Sequence, residues 1–87
     1  MKILAEPIDA AVWFKGQERP HPVKFRYHDR NGVLCKINVD KVLSVEESKL
    51  GGIKALIYRC QSQVDGCVKL YELKYLVSEC RWELYKM

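Results

Sequence analysis

Val23-Lys24-Phe25-Arg26-Tyr27-His28-Asp29-Arg30-Asn31-Gly32-Val33-Leu34-Cys35-Lys36-Ile37 decides the fold class of this 87-residue chain. Before the turn, Val23, Phe25 and Tyr27 alternate with Lys24, Arg26 and His28, which makes one face apolar and the other cationic. A period of two belongs to a half-buried strand, because successive side chains of extended backbone point to opposite faces. Asn31-Gly32 then tolerates the positive φ that a tight reversal needs, and Asp29 is placed to cap the turn. Beyond it Val33, Cys35, Ile37 and Val39 alternate with Leu34, Lys36, Asn38 and Asp40, as in the returning arm of a hairpin.

The same period extends outward in both directions. Toward the N-terminus, Ile8, Ala10, Val12 and Phe14 alternate with Asp9, Ala11, Trp13 and Lys15, giving a first strand that Gly16 ends. Residues 16–22 read as a loop in which Pro20 and Pro22 fix φ and remove two ladder donors. Residues 1–7 are assigned to a flexible or edge-pairing arm. Toward the C-terminus the hairpin's second strand runs on to Val45, with Val42 out of phase and marking a bulge or bend. Residues 46–52 form a polar connection with room for one helical turn at 46–50. Ile53 to Cys60 is a strand, with Ile53, Ala55 and Ile57 opposite Lys54, Leu56 and Tyr58, and Gln61 to Gly66 is a turn. Cys67 to Val77 follows as a strand with Tyr71, Leu73 and Tyr75 on one face, and Arg81 to Tyr85 closes the set with Trp82 and Leu84 inward. Val68, Leu70, Leu73 and Val77 also fit a helical period, but the β-rich composition of the segment and the Trp-x-Leu strand after it favour strand over helix.

The expected fold is therefore all-β, about six mostly antiparallel strands in a strongly bent sheet or small SH3-like or split barrel, because such a sheet folds over to hide its edges. Its core is expected to hold Val12, Phe14, Val23, Phe25, Tyr27, Cys35, Ile37, Ile57, Leu73, Trp82 and Leu84. Residues 1–87 make a single domain, too short for a dinucleotide-binding sheet plus a second domain or for an eight-fold barrel. With 48% hydrophobic and 30% charged residues, the chain is unlike a disordered tail. No run of eighteen apolar residues exists to span a bilayer, and no membrane partner is expected. Glu6 and Pro7 interrupt the apolar start, so no export signal is expected and the cytoplasm is the assigned compartment.

Charge is distributed unevenly. Seven basic residues (Lys15, Arg19, Lys24, Arg26, Arg30, Lys36, Lys41) face three acidic ones (Glu18, Asp29, Asp40) between positions 15 and 41, so this third of the chain carries the whole net charge of +4. Lys24, Arg26 and His28 share a strand face, Lys36 joins them across the hairpin and Arg30 crowns the turn. Cations of this kind follow phosphates, and an exposed ring stacks on bases, which makes single-stranded nucleic acid the first candidate partner. Trp13, on an otherwise polar strand face, is the candidate ring; its alternative place is beneath the proline loop as a satellite of the core. The competing reading is a protein–protein or self-association module, a homodimer included. It would use a strand edge and the aromatics Trp13, Tyr58, Tyr71, Tyr75 and Tyr85.

No catalytic residues, cofactor or metal site is expected. His21 lies between two prolines and His28 beside a turn; neither neighbours a nucleophile in sequence. Gly51-Gly52 lacks the residues of a phosphate-binding loop. Cys35, Cys60, Cys67 and Cys80 are separated by 25, 7 and 13 positions, with no Cys-x-x-Cys to close a metal chelate. Cysteine as a small core residue is the favoured explanation. Cys60 and Cys67 flank the expected turn at 61–66 and are candidates to face each other across it.

Pro22-Val23-Lys24-Phe25-Arg26-Tyr27, Val39-Asp40-Lys41-Val42-Leu43, Tyr71-Glu72-Leu73 and Arg81-Trp82-Glu83-Leu84 together resemble a group of small bacterial β-domain proteins of unassigned activity. In that group a proline-led aromatic strand opens the domain and a Trp-x-Leu strand closes it. The resemblance covers about residues 20 to 85 and implies the β fold alone.

Overall fold

The computed structural model describes every residue from Met1 to Met87. It contains strands β1 (Ile3–Pro7), β2 (Asp9–Trp13), β3 (His21–His28), β4 (Leu34–Asn38), β5 (Lys41–Ser48), β6 (Ala55–Val64), β7 (Cys67–Leu76) and β8 (Arg81–Lys86). All strand pairs are antiparallel. The chain is all-β as expected, but with eight strands instead of six. The two additional strands arise because two long extended runs bend and change sheets. The first breaks at Ile8 between β1 and β2, and residues 3–7 pair with β8 as an edge strand. The second breaks at Val39-Asp40 between β4 and β5.

A five-stranded sheet in the order β1-β8-β7-β6-β5 and a three-stranded sheet β2-β3-β4 result. No closed barrel forms. The ladder opens at both corners, where single hydrogen bonds remain: Ile8 N–H to the Trp82 carbonyl at 3.2 Å and Val39 N–H to the Val23 carbonyl at 2.9 Å. No helix is long and apolar enough to cross a membrane.

Turn chemistry sets the registers. Asp65 and Gly66 both adopt positive φ, 50° and 77°, in a two-residue turn that pairs Val64 with Cys67. The turn is thus shorter than residues 61–66, and Gln61 to Val64 belong to β6. At the β3–β4 turn Asp29 Oδ1 accepts from the N–H groups of Asn31 and Val33, at 2.8 and 3.0 Å, as its capping role requires. Strand β5 runs to Ser48, so the short helical turn falls at Leu50–Gly52 instead of 46–50.

The core lies between the sheets. Phe25 and Ile37 enter from the small sheet and meet Leu56, Tyr58, Cys60, Tyr71, Leu73, Tyr75, Trp82 and Leu84 from the large one. The Phe25 and Tyr71 rings pack across the interface with centroids 5.5 Å apart, while Trp82 lies against Tyr58 and Tyr75 at 5.1 and 4.9 Å. Of the expected core residues, Phe25, Ile37, Leu73, Trp82 and Leu84 are buried and Val12 and Tyr27 are half-buried against them, whereas Cys35 lies outside the core with its thiol turned toward Asp29 and the Val33 carbonyl at the hairpin turn.

Three further assignments are corrected. Val23 is 44% exposed because it is the extra residue of a bulge: Ala11 pairs with Lys24 and Val12 with Pro22, so Pro22 takes the inward place. Phe14 lies beyond the end of β2 and is 57% exposed. Ile57 is half-buried on the outer face of the large sheet, beside Glu46 and Lys74, because β6 turns Leu56, Tyr58, Cys60 and Ser62 inward.

Ser62 is the single polar residue of the buried set. Its hydroxyl donates to the Asn38 carbonyl at 2.6 Å, and it accepts the Asp40 N–H at 3.4 Å. With its one proton so used, Ser62 leaves Tyr71 O–H to donate to it at 2.6 Å. Asp40 completes the corner by accepting Gln63 N–H at 2.7 Å.

Replacing Ser62 by alanine strands three polar groups and is expected to cost about 2–3 kcal/mol in urea unfolding, against about 1 kcal/mol for Tyr71→Phe. Equal losses would show that Ser62 does not organise the corner. A second expectation concerns alkali. Burial pushes the Tyr58 and Tyr71 hydroxyls, ordinarily near 10, and the Cys60 thiol, ordinarily near 9, up to about 12. These groups stay protonated in the folded chain where the unfolded chain ionises. Their contribution is complete below about pH 9 and is lost as pH rises toward about 12. The urea midpoint should fall across that window; a constant midpoint through about pH 11 would contradict it.

Candidate nucleic-acid interface

Alternation and hairpin register bring the predicted cations together on the outer face of the small sheet. Arg26 pairs with Lys36 across the β3–β4 ladder and with Asp9 across the β2–β3 ladder, and Lys24 sits between Ala11 and Asn38. Adjacent strands are about 4.8 Å apart and like-facing residues on one strand about 7 Å, so the three cationic side chains share one compact patch. They border a shallow depression of about 560 Å³, lined also by Asp9, Ala11 and Asn38. His28 lies farther along β3, opposite Leu34, and Arg30 is exposed on the turn.

Electrostatics separates this face from the rest of the surface. Of the five ion pairs, four belong to the large sheet and its connections: Lys49–Glu47, Lys54–Glu47, Arg59–Glu72 and Arg81–Glu79. The small sheet has one, Arg26 Nε to Asp9 Oδ2 at 2.9 Å, with both side chains exposed. Lys24, Arg30 and Lys36 have no carboxylate partner. Their charges are not neutralised by contact and are available to an anion from solution.

Trp13 lies at the end of the same face. The bulge restores phase so that Trp13 pairs with His21 on the outward side, and its side chain is 61% exposed. It is not a satellite of the core. It borders a cleft whose other walls are Lys15, Glu18, Arg19 and His21. Arg19 and His21 are not legible as site residues from periodicity, because Pro20 and Pro22 mark residues 16–22 as a loop; β3 in fact begins at His21, and membership of the basic stretch is the available signal.

The aromatic surface expected for a protein partner is smaller than the tyrosine count implied. Tyr58, Tyr71 and Tyr75 are in the core, and the half-buried Tyr85 ring is flanked by the Lys74 and Lys86 ammonium groups at 4.8 and 5.2 Å from its centre. Nor do the cysteines converge. Cys60 is opposite Tyr71 and Cys67 opposite Val64, four pairs apart on the ladder, so Cys60 and Cys67 do not face each other. All four are free thiols, with Cys60 buried and Cys67 and Cys80 exposed.

No family model, curated protein or solved structure matches the chain. The resemblance carried by the Pro22 and Trp82 motifs gains no support from them.

Thiol accessibility tests this placement of side chains. Iodoacetamide applied to the native protein should modify Cys67 and Cys80 rapidly and leave Cys60 untouched until urea unfolds the chain, as peptide mass analysis would show. Early alkylation of Cys60 would contradict the β6–β7 register.

Proposed function

We propose that this chain is a non-catalytic binding module whose small sheet holds single-stranded nucleic acid by its phosphates. The observation that carries the reading is the charge balance: residues 9–38 set six basic residues against three acidic ones and the rest of the chain nine against eight, and Lys24 and Lys36 stand without a carboxylate partner beside Arg26 on one outward face. Arg30 extends this track at one end and Trp13 marks the other, a path along β3 of about 25 Å. Such a length suits the few nucleotides that small β domains engage. Arg26 keeps contact with Asp9 and thereby holds its guanidinium over the sheet; a phosphate would compete with that carboxylate.

Binding of this kind is dominated by counterion release and weakens steeply with salt. A short fluorescent oligodeoxynucleotide should therefore lose affinity linearly in log–log salt titration, and the double variant Lys24→Glu/Arg26→Glu should lose binding without a change in urea midpoint. Asp9→Asn, which removes the competing carboxylate, should tighten binding by a few-fold. Unchanged retention of the double variant on a polyanion column would overturn the reading.

A further inference from the structure

We infer that the cleft between Trp13 and the proline loop is a subsite for one unpaired base, stacked on the Trp13 indole and walled by Arg19 and His21. The inference rests on the polyanion reading of the sheet face and adds the part of the ligand that leaves the phosphate track.

Three observations converge on it. The first is the ring itself. An indole 61% exposed at the end of a strand, with its partner His21 also on the outer face, presents apolar surface to solvent. The second is the wall opposite. Loop 15–21 is built stiffly: Gly16 takes φ 59°, Glu18 N–H bonds to the Lys15 carbonyl at 3.0 Å, and Tyr58 O–H donates to the Pro20 carbonyl. Pro20 and Pro22 are buried on either side of His21, so the backbone that carries Arg19 and His21 is anchored before any ligand arrives. A pre-formed wall lowers the ordering cost of binding.

The third observation is the charge pattern of the cleft, about 240 Å³ in volume and lined by Trp13, Lys15, Glu18, Arg19 and His21. Among the lining residues Glu18 opposes the entry of a phosphate, while Lys15 and Arg19 attract the anionic strand that carries the base. The group that suits the interior is uncharged and planar, carried by an anionic chain. An arginine guanidinium and an indole both stack on such planes. A base inside a duplex has both faces already stacked, so the cleft selects single strands.

The test compares three probes of matched length: oligothymidylate, the same strand with abasic sites throughout, and inorganic polyphosphate. Oligothymidylate should bind at least about fivefold more tightly than the abasic strand and quench the exposed tryptophan. Trp13→Ala should abolish that preference at unchanged urea midpoint, and Trp13→Phe should restore most of it. Oligouridylate run in parallel also supports the subsite if it exceeds an abasic ribose strand, and the tighter of the two strands tells RNA from DNA. Equal affinity for oligothymidylate and its abasic counterpart would overturn the subsite while leaving the phosphate track intact. Failure of all three probes to bind would defeat the underlying reading instead.

Discussion

The hydroxyl of Ser62 is the constraint on which the two-sheet arrangement depends. Where β4 leaves the small sheet and β5 joins the large one, the ladder ends at Asn38 and Val39-Asp40 belong to neither sheet, so polar backbone groups at the corner need other partners. Ser62 provides them from β6, and Tyr71 completes its hydrogen bonding from β7. An apolar residue at this point would leave the Tyr71 hydroxyl unpaired in the core and two part-buried backbone groups without their partner, a sizeable fraction of a small domain's stability margin. Because the corner is held, the small sheet packs its Phe25–Ile37 side inward and turns its lysines and arginines to solvent.

Much of the fold was legible because alternation survives a bend. Phe25, Ile37, Leu73, Trp82 and Leu84 are inward as their spacing implies, and Asp29 caps its turn. The corners were not legible, since an inward side chain stays inward as a strand passes from one sheet to the other, and the pattern carries no mark of the change. Val23 failed for a related reason. A bulge shifts phase by one residue, and nothing local distinguishes Pro22 from Val23 as the inward member. Phe14, Tyr58, Tyr71 and Tyr75 show the limit of composition: how many aromatics a core absorbs depends on how two sheets meet.

The candidate site divides along the same line. Lys24, Arg26 and Lys36 were readable together because strand phase and hairpin register are local properties. The Arg19–His21 wall depends on a hydrogen bond from Tyr58 to Pro20, between residues 38 positions apart, and no short-range pattern reports it. Long-range anchoring of a loop by a buried tyrosine is how a connection that sequence marks merely as proline-rich becomes a fixed surface.

The bulges in the outer strands bear on how an open β structure avoids its neighbours. The five-stranded sheet leaves both margins, β1 and β5, without a lateral partner in the ladder. Each of those margins is deformed: β1 carries an irregularity between Ile3 and Glu6, with Ala5 at positive φ and Pro7 at its end, and β5 carries an extra residue at Leu43. An incoming strand would find the spacing of N–H and C=O groups broken on either side. Fibrillar stacking, which requires long unbroken runs of backbone in step, is disfavoured by local geometry at these two margins of the large sheet.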